Sequence, residues 1–349
     1  MKPIRVLIVD DSPIVQLVLR RILSGEPDIE IVGVASDPIE AKDLILEDKP
    51  DVITLDIEMP RMNGITFLKR LMSYSPIPVI MISSYTRENS MRTMEALEAG
   101  AVDFVTKPSY DDGTERGFTL LRDEIVAKIR VASKTHVKPF ILHGKSPIKI
   151  GKTPDTIANK LIAIGASIGG PKALQKLLCG ISFQPQGIVI AQHMSAQYIG
   201  AFAERLNSLL PFEVREARDM DIVNQGRVLI APGDKHMRVV RNGAGYMVRI
   251  DKISSTQSPL AGVSRSIDVL FHSVAKIACP NAVGIILTGM GSDGADGLAA
   301  MKEAGAYTIA QDEASCVVFG MPRAAIEKGI VDAVASPEDI PAILLNNVK

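Results

Sequence analysis

Five short apolar runs punctuate the first third of the chain: RVLIV, IEIVGVA, DVITLD, VIMIS and AVDFVT, each rich in β-branched residues. Between them the apolar positions change to three- and four-residue spacing, as in AKDLILE and ITFLKRLM, which is the period of a helix face. Strand and helix alternating in this way predict a parallel sheet covered on both faces. TLLRDEIVAKIRVA, residues 119–132, closes this first unit as an amphipathic helix. Periodicity then lapses through SKTHVKPFILHGKSPIKIGKTPDT, whose three prolines and scattered lysines mark a linker. The division expected is a first domain over 1–130, a linker over 131–155 and a second domain over 156–349.

The second domain repeats the pattern with strand candidates LIAIGA, GIVIAQ, RVLIAP, AVGIILT, YTIAQ and CVVF. Helical segments such as ALQKLLCG, YIGAFAERLNSLL, IDVLFHSVAKIA and GLAAMKEAG lie between several of them. A second α/β unit with a largely parallel sheet is therefore expected. RVVRNGAGYMVRI interrupts it as a hairpin insertion turning at Asn242-Gly243.

Composition narrows the classes. With 349 residues, 46% hydrophobic and 23% charged, the chain has the makeup of a globular protein with more than one core. A net charge of -1 gives no reason to expect a nucleic-acid groove or an anionic membrane as partner. Cys179, Cys279 and Cys316 are far apart, with no CxxC among them, and read as buried thiols in a reducing compartment. MKPIRVLIVDD lacks the long apolar region of a signal peptide, and no run approaches bilayer length, so a cytoplasmic protein without membrane insertion is expected.

In parallel α/β sheets ligands bind beyond the carboxyl ends of the strands. In the first domain those ends carry Asp10 and Asp11, then Asp56, then Ser83, then Lys107. Three carboxylates gathered at one edge repel one another unless a hard cation neutralises them, and Mg2+ prefers such oxygen ligands. One carboxylate can then attack a phosphoryl group while an ammonium and a hydroxyl steady its oxygens, and Asp56 is the candidate nucleophile. The alternative is that these aspartates merely cap helices. VLIVDDSP, ITLDIEMPRMNG, VIMISS and VTKP resemble the receiver domain of two-component response regulators, a flavodoxin-like fold. The resemblance implies phosphorylation of Asp56 by a histidine kinase. It also implies Mg2+ held by Asp10, Asp11, Asp56 and the Glu58 carbonyl, phosphoryl contacts from Ser83 and Lys107, and an aromatic switch at Phe104.

In the second domain Gly165-Ala166-Ser167-Ile168-Gly169 satisfies G-x-S-x-G between a strand and a helix, where that motif makes a tight turn exposing a serine oxygen. A nucleophilic serine needs a base and the base needs an orienting carboxylate. His193 and His236 both follow strands, and spacing does not choose between them. His136 and His143 fall in the linker and His272 inside a helical pattern. Asp293, with Asp296 close behind, lies in a glycine-rich strand end suited to the acid. Two competing readings stand at this point. Ser167 can be a helix N-cap, and GMGSDG, residues 289–294, also fits G-x-G-x-x-G with Asp312 downstream as a ribose ligand.

GASIGGPKAL, AQHM, LIAPGDKHM, SIDVLF, ILTGMGSDGADGL and MPRAA, behind a receiver, are similar to the chemotaxis-specific protein-glutamate methylesterases along the whole chain. The resemblance implies Ser167 as nucleophile, His193 as general base and Asp293 as its orienting acid. It implies an oxyanion hole from the backbone N–H of Met290 and Ile168, and no cofactor for the ester chemistry. Ile168 stands where relatives commonly carry threonine. The implied substrates are glutamate γ-methyl esters on the cytoplasmic helical region of chemoreceptors, with deamidation of specific glutamines as a second activity. Phosphorylation of the receiver is then expected to raise activity by uncovering the site. The competing class is a phosphorylation-dependent binding protein, which would release no methanol.

Overall fold

A computed structural model describes residues 2–84, 86–107, 115–135, 158, 160–183, 185–252 and 266–347. The chain divides into two compact units, Met1–His143 and Gly144–Lys349. From residue 136 onward the expected linker, with His136 and His143, lies outside the described residues.

The first unit holds strands β1 (Ile4–Val9), β2 (Ile29–Ala35), β3 (Val52–Asp56), β4 (Val79–Ser83) and β5 (Asp103–Thr106). Its helices are α1 (Pro13–Leu23), α2 (Pro38–Asp48), α3 (Gly64–Tyr74), α4 (Arg87–Glu98) and α5 (Glu115–Ala132). All strand pairs are parallel, in the order β2-β1-β3-β4-β5. Every residue of β3 and β4 is buried, which is why these runs are continuously apolar instead of alternating. Helices begin where a capping side chain is available: Ser12, Asp37, Asn63 and Thr86 each accept from backbone N–H groups of the following turn. Strand order reverses between β1 and β3, so the segments that follow these two strands diverge and leave a crevice at their carboxyl ends.

The second unit holds β6 (Leu161–Ala166), β7 (Gly187–Gln192), β8 (Glu213–Glu216), β9 (Arg227–Ile230), a hairpin of β10 (Lys235–Asn242) and β11 (Gly245–Lys252), then β12 (Ala282–Ile286), β13 (Tyr307–Gln311) and β14 (Ala333–Ala335). Its helices are α6 (Gly170–Gly180), α7 (Ala196–Leu209), α8 (Ser266–Ile277), α9 (Ala295–Glu303), α10 (Met321–Glu327) and α11 (Ile340–Asn347). Seven strands form one wholly parallel sheet, ordered β14-β13-β12-β6-β7-β9-β8. Here the reversal falls between β6 and β12. The antiparallel hairpin stands apart from the sheet and packs Met237, Val239, Tyr246 and Val248 into the core shared with Leu270, Phe271 and Val274 of α8.

Some expectations fail for local reasons. CVVF, residues 316–319, is no strand: Val318 donates its N–H to the Thr288 hydroxyl and accepts at its carbonyl from Gly289 N–H, and among the described residues the segment makes a single bridge, Phe319 with Gly289. The hairpin turns on Gly243 and Ala244, one residue later than expected, with Asn242 paired to Gly245 and Gly243 at φ 57°. The edge strands β8 and β14 lack an apolar run long enough to announce themselves. Cys179 is exposed, not buried, and all three cysteines are free thiols.

Candidate functional site

The crevice of the first unit collects the expected acidic residues. Asp10 and Asp56 are buried, Asp11 is exposed at the rim, and the three can bring carboxylate oxygens within 4.8 Å of one another. The Lys107 ammonium lies 3.1 Å from Asp10 Oδ2 and 2.8 Å from Asp56 Oδ2. A single ammonium is thus shared by two buried carboxylates, with a third carboxylate beside them. An all-oxygen donor set with surplus negative charge fits a hard divalent cation. Burial, reinforced by the neighbouring Asp10 charge, pushes the Asp56 carboxyl up to about 6 against the opposing pull of Lys107 and of the Glu58 N–H. Burial also raises Asp10, while the Asp56 and Asp10 charges outweigh burial at Lys107 and raise it.

Ser83 ends β4 fully buried, its hydroxyl 3.0 Å from that of Thr93. The Glu58 side chain turns to Arg92 instead, at 3.1 Å. Phe104 is buried on β5, with the Lys128 ammonium 5.3 Å from its ring centre. The helix-cap alternative does not account for Asp10 or Asp56, because Ser12 caps α1 and Asn63 caps α3.

In the second unit the turn after β6, the end of β7 and the loop after β12 meet. Ser167 Oγ lies 3.2 Å from His193 Nδ1, and His193 Nε2 lies 2.7 Å from Asp293 Oδ2. The ring thus presents the reverse of the usual nitrogen assignment, with Nε2–H able to donate to the acid and the Nδ1 lone pair facing the serine. Ser167 is no N-cap: Gly169 occupies that position at φ 76°, with no side-chain cap bond. A side chain at Gly169 would also run into Val317, its Cβ 2.6 Å away. Gly289 allows the other close approach, since a Cβ there would come 2.7 Å from Ser167 Cβ and 2.2 Å from Met321 Sδ.

Burial alone would raise Asp293. The His193 hydrogen bond and charge, followed by N–H groups of Asp268 and Ile267, outweigh it and hold the carboxyl below its ordinary range. Those N–H groups reach Asp293 Oδ1 at 3.0 Å and Oδ2 at 3.1 Å. Among the described residues, the backbone N–H groups of Ile168 and Met290 have no protein acceptor.

The remaining candidates sort themselves by position. His236 is buried on β10, opposite Asp251 in the hairpin register, and burial lowers its pKa against the pull of Asp251 and Asp293. His272 is exposed on α8. Asp296 points outward and pairs with Lys328 at 3.0 Å. Asp312 accepts from Ser315 N–H as the cap of a short 3-10 turn. The dinucleotide alternative loses its phosphate site as well: Gly294 and Gly297 N–H, at the start of α9, already donate to Asp268 Oδ1.

Three supporting residues were not singled out from sequence. The Gln192 amide donates to both the Ser167 and His193 carbonyls, at 2.9 and 3.0 Å. The Thr288 hydroxyl donates to the Ile168 carbonyl at 3.0 Å and accepts from Val318 N–H at 2.9 Å. Asp268 is the third. A polar residue inside an apolar run, as in GIVIAQ, SIDVLF or ILTG, was the available signal.

A receiver-type crevice on one unit and a serine, histidine and aspartate in contact on the other describe a response regulator that carries its own output domain. The model of the response regulator receiver domain matches residues 6–115, and that of the CheB methylesterase matches residues 162–344. The chain belongs to the CheB methylesterase family. A Photorhabdus laumondii protein named protein-glutamate methylesterase/protein-glutamine glutaminase is 49% identical over 335 residues, covering 96% of this chain and 94% of its own length. A Syntrophotalea carbinolica protein of the same name is 48% identical over 345 residues, covering 96% and 95%. The catalytic domain of Thermotoga maritima CheB methylesterase is 35% identical and aligns with 54% of this chain and 97% of its own, at a TM-score of 0.49.

Proposed function

We propose that the protein is a phosphorylation-activated hydrolase of chemotaxis adaptation. Its substrates are glutamate γ-methyl esters on the cytoplasmic helical region of chemoreceptors, and its phosphodonor is the chemotaxis histidine kinase. The observation that carries this reading is the contact chain Ser167, His193, Asp293 in a protein whose full-length relatives bear the methylesterase name. The receiver spans 1–130 and the hydrolase domain 156–349. The protein works in the cytoplasm, and among its described residues no helix is long and apolar enough to cross a membrane.

The chemistry follows from the geometry. His193 Nδ1 takes the Ser167 hydroxyl proton as Oγ bonds to the ester carbonyl carbon, and Asp293 steadies the imidazolium through Nε2–H. The resulting oxyanion is met by the Ile168 and Met290 N–H groups. Collapse breaks the bond to the methoxy oxygen, which leaves as methanol with the proton from His193. Water, deprotonated by the same histidine, then cleaves the acyl-serine to give a carboxylate and restore the hydroxyl. A glutamine side chain would follow the same steps with ammonia as leaving group.

In the receiver, an Asp56 carboxylate oxygen bonds to phosphorus as the P–N bond to the kinase's phosphohistidine breaks and the imidazole leaves. Lys107 neutralises a phosphoryl oxygen and Ser83 offers a hydroxyl to it. Mg2+ held by Asp10, Asp11, Asp56 and the Glu58 carbonyl would supply charge neutralisation on the transferring group. Methanol release from methylated receptor membranes tests both domains at once, using wild type and Ser167→Ala with and without a small phosphodonor and Mg2+. Release that requires Ser167 and rises with phosphodonor is expected; no release from wild type under either condition would refute the reading.

A further inference from the structure

Two aspartates, one at the start of α8 and one just before α9, each accept from the N–H groups that open the other's helix. Asp293, just before α9, accepts from the first-turn N–H groups of α8, Ile267 at 3.1 Å and Asp268 at 3.0 Å. Asp268, in that first turn of α8, accepts through Oδ1 from Gly294 at 3.0 Å and Gly297 at 2.8 Å, which open α9. Gly294 is the N-cap of α9 and has no side chain to satisfy these donors itself. The two aspartates thus cap each other's helices. Asp268 is 5% exposed, so the bonds it makes are shielded from competing water.

We infer that Asp268 is a positioning residue for the catalytic acid: by anchoring the start of α9 it fixes the loop that aims Asp293 at His193. This rests on the hydrolase reading above. Asp268 contacts neither substrate nor reacting atoms in that mechanism; it acts through Asp293. Without it, two buried N–H groups lose their acceptor and the loop from Thr288 to Gly294 is released at its far end. Asp293 then keeps its two bonds to α8, but the backbone that carries it is free to shift by fractions of an ångström. A shift of this kind acts on the chemical steps, because the imidazolium that needs the acid forms only after substrate has bound, and it leaves substrate binding almost untouched.

The test uses full-length Asp268→Ala and Asp268→Asn, reading kcat and KM for methanol release, thermal melting, and the downfield proton resonance of the His193 Nε2–H bonded to Asp293. Asparagine keeps a carbonyl oxygen able to accept both N–H bonds, whereas alanine keeps none. Asp268→Ala is expected to lower kcat by about ten- to a hundredfold with KM changed by less than about twofold, and to shift or broaden the downfield resonance. Asp268→Asn is expected to recover kcat to within about fivefold of wild type and to keep the resonance. If Asp268→Ala does not fold, Asp268→Ser, too short to reach both donors, takes its place against Asp268→Asn.

An unchanged kcat and resonance in the alanine or serine variant would overturn the inference. So would equal losses in the Asn and Ala variants, which would place the effect on charge and not on capping. Wild type that releases no methanol would instead sink the hydrolase reading, a distinct result.

Discussion

Asp56 and Asp293 are the same residue type in the same architectural place: both side chains are largely covered, and both lie at the carboxyl side of parallel strands where strand order reverses. Their acidities nevertheless move in opposite directions. Asp56 is raised to about 6 because its nearest company is a second buried carboxylate, with one lysine shared between them. Asp293 is lowered because a histidine and two backbone N–H groups converge on its two oxygens. Burial penalises both charges, so the donors decide the sign. An under-neutralised carboxylate is what the proposed uptake of a cation and a phosphoryl group would need. One solvated by fixed protein dipoles is what the acid role proposed for Asp293 would need, since that acid would have to stay ionised throughout turnover.

The comparison can be broken first at the chemistry. Ser167→Ala should reduce methanol release by at least about a thousandfold, and Asp293→Asn by about a hundred- to ten-thousandfold, each measured as kcat/KM on methylated receptor membranes. If Asp293→Asn turns over as wild type, the acid role assigned to that carboxylate is wrong.

A smaller effect is expected on the other side. Asp56→Asn should abolish the increase in activity produced by phosphodonor and Mg2+ while leaving basal turnover within about twofold, since Asp56 belongs to a different unit from Ser167. Basal activity that collapses in this variant would contradict that independence.

Next comes packing beside the nucleophile. Gly289→Ala drives a methyl group into Ser167 Cβ and Met321 Sδ and should destabilise the second unit by about 1–3 kcal/mol, read from denaturant melts. A neutral result would mean that the loop yields more readily than its contacts suggest.

The subtlest test is the pH dependence of stability in metal-free buffer. The raised Asp56 keeps its proton more tightly in the folded receiver than in the unfolded chain. Below the ordinary carboxylate range both states are protonated; as pH rises from there to about 6 the folded state loses ground, and the deficit is complete above 6. Asp56→Asn should remove it, stabilising the receiver at neutral pH by on the order of 1–3 kcal/mol and flattening its curve between pH 4 and 6. The Asp293 contribution has the opposite sign: present above the ordinary carboxylate range and lost as pH falls through its lowered folded value. Parallel pH trends in Asp56→Asn and wild type would remove the basis of the contrast.

Both sheets were legible in the apolar runs because a strand buried on two faces has little choice but β-branched and aliphatic residues, as in VITLD and VIMIS. Ser167, Asp56 and Lys107 were legible because each follows such a run. His193 was not separable from His236 by spacing, since both follow strands and only the folded chain puts one beside Ser167 and the other in a hairpin. Gln192, Thr288 and Asp268 went unrecognised because their roles are bonds between backbone segments distant in sequence. CVVF fails for the complementary reason: β propensity makes a strand only where the backbone is free to pair in a ladder, and Val318 already bonds Thr288 and Gly289.

The Gln192 carboxamide carries a last implication. Through one nitrogen it joins the peptide carbonyls of Ser167 and His193, so two neighbouring strand ends share a single donor. An apolar side chain at this position would strip that donor from both carbonyls at once, a fault felt on two strands from one substitution.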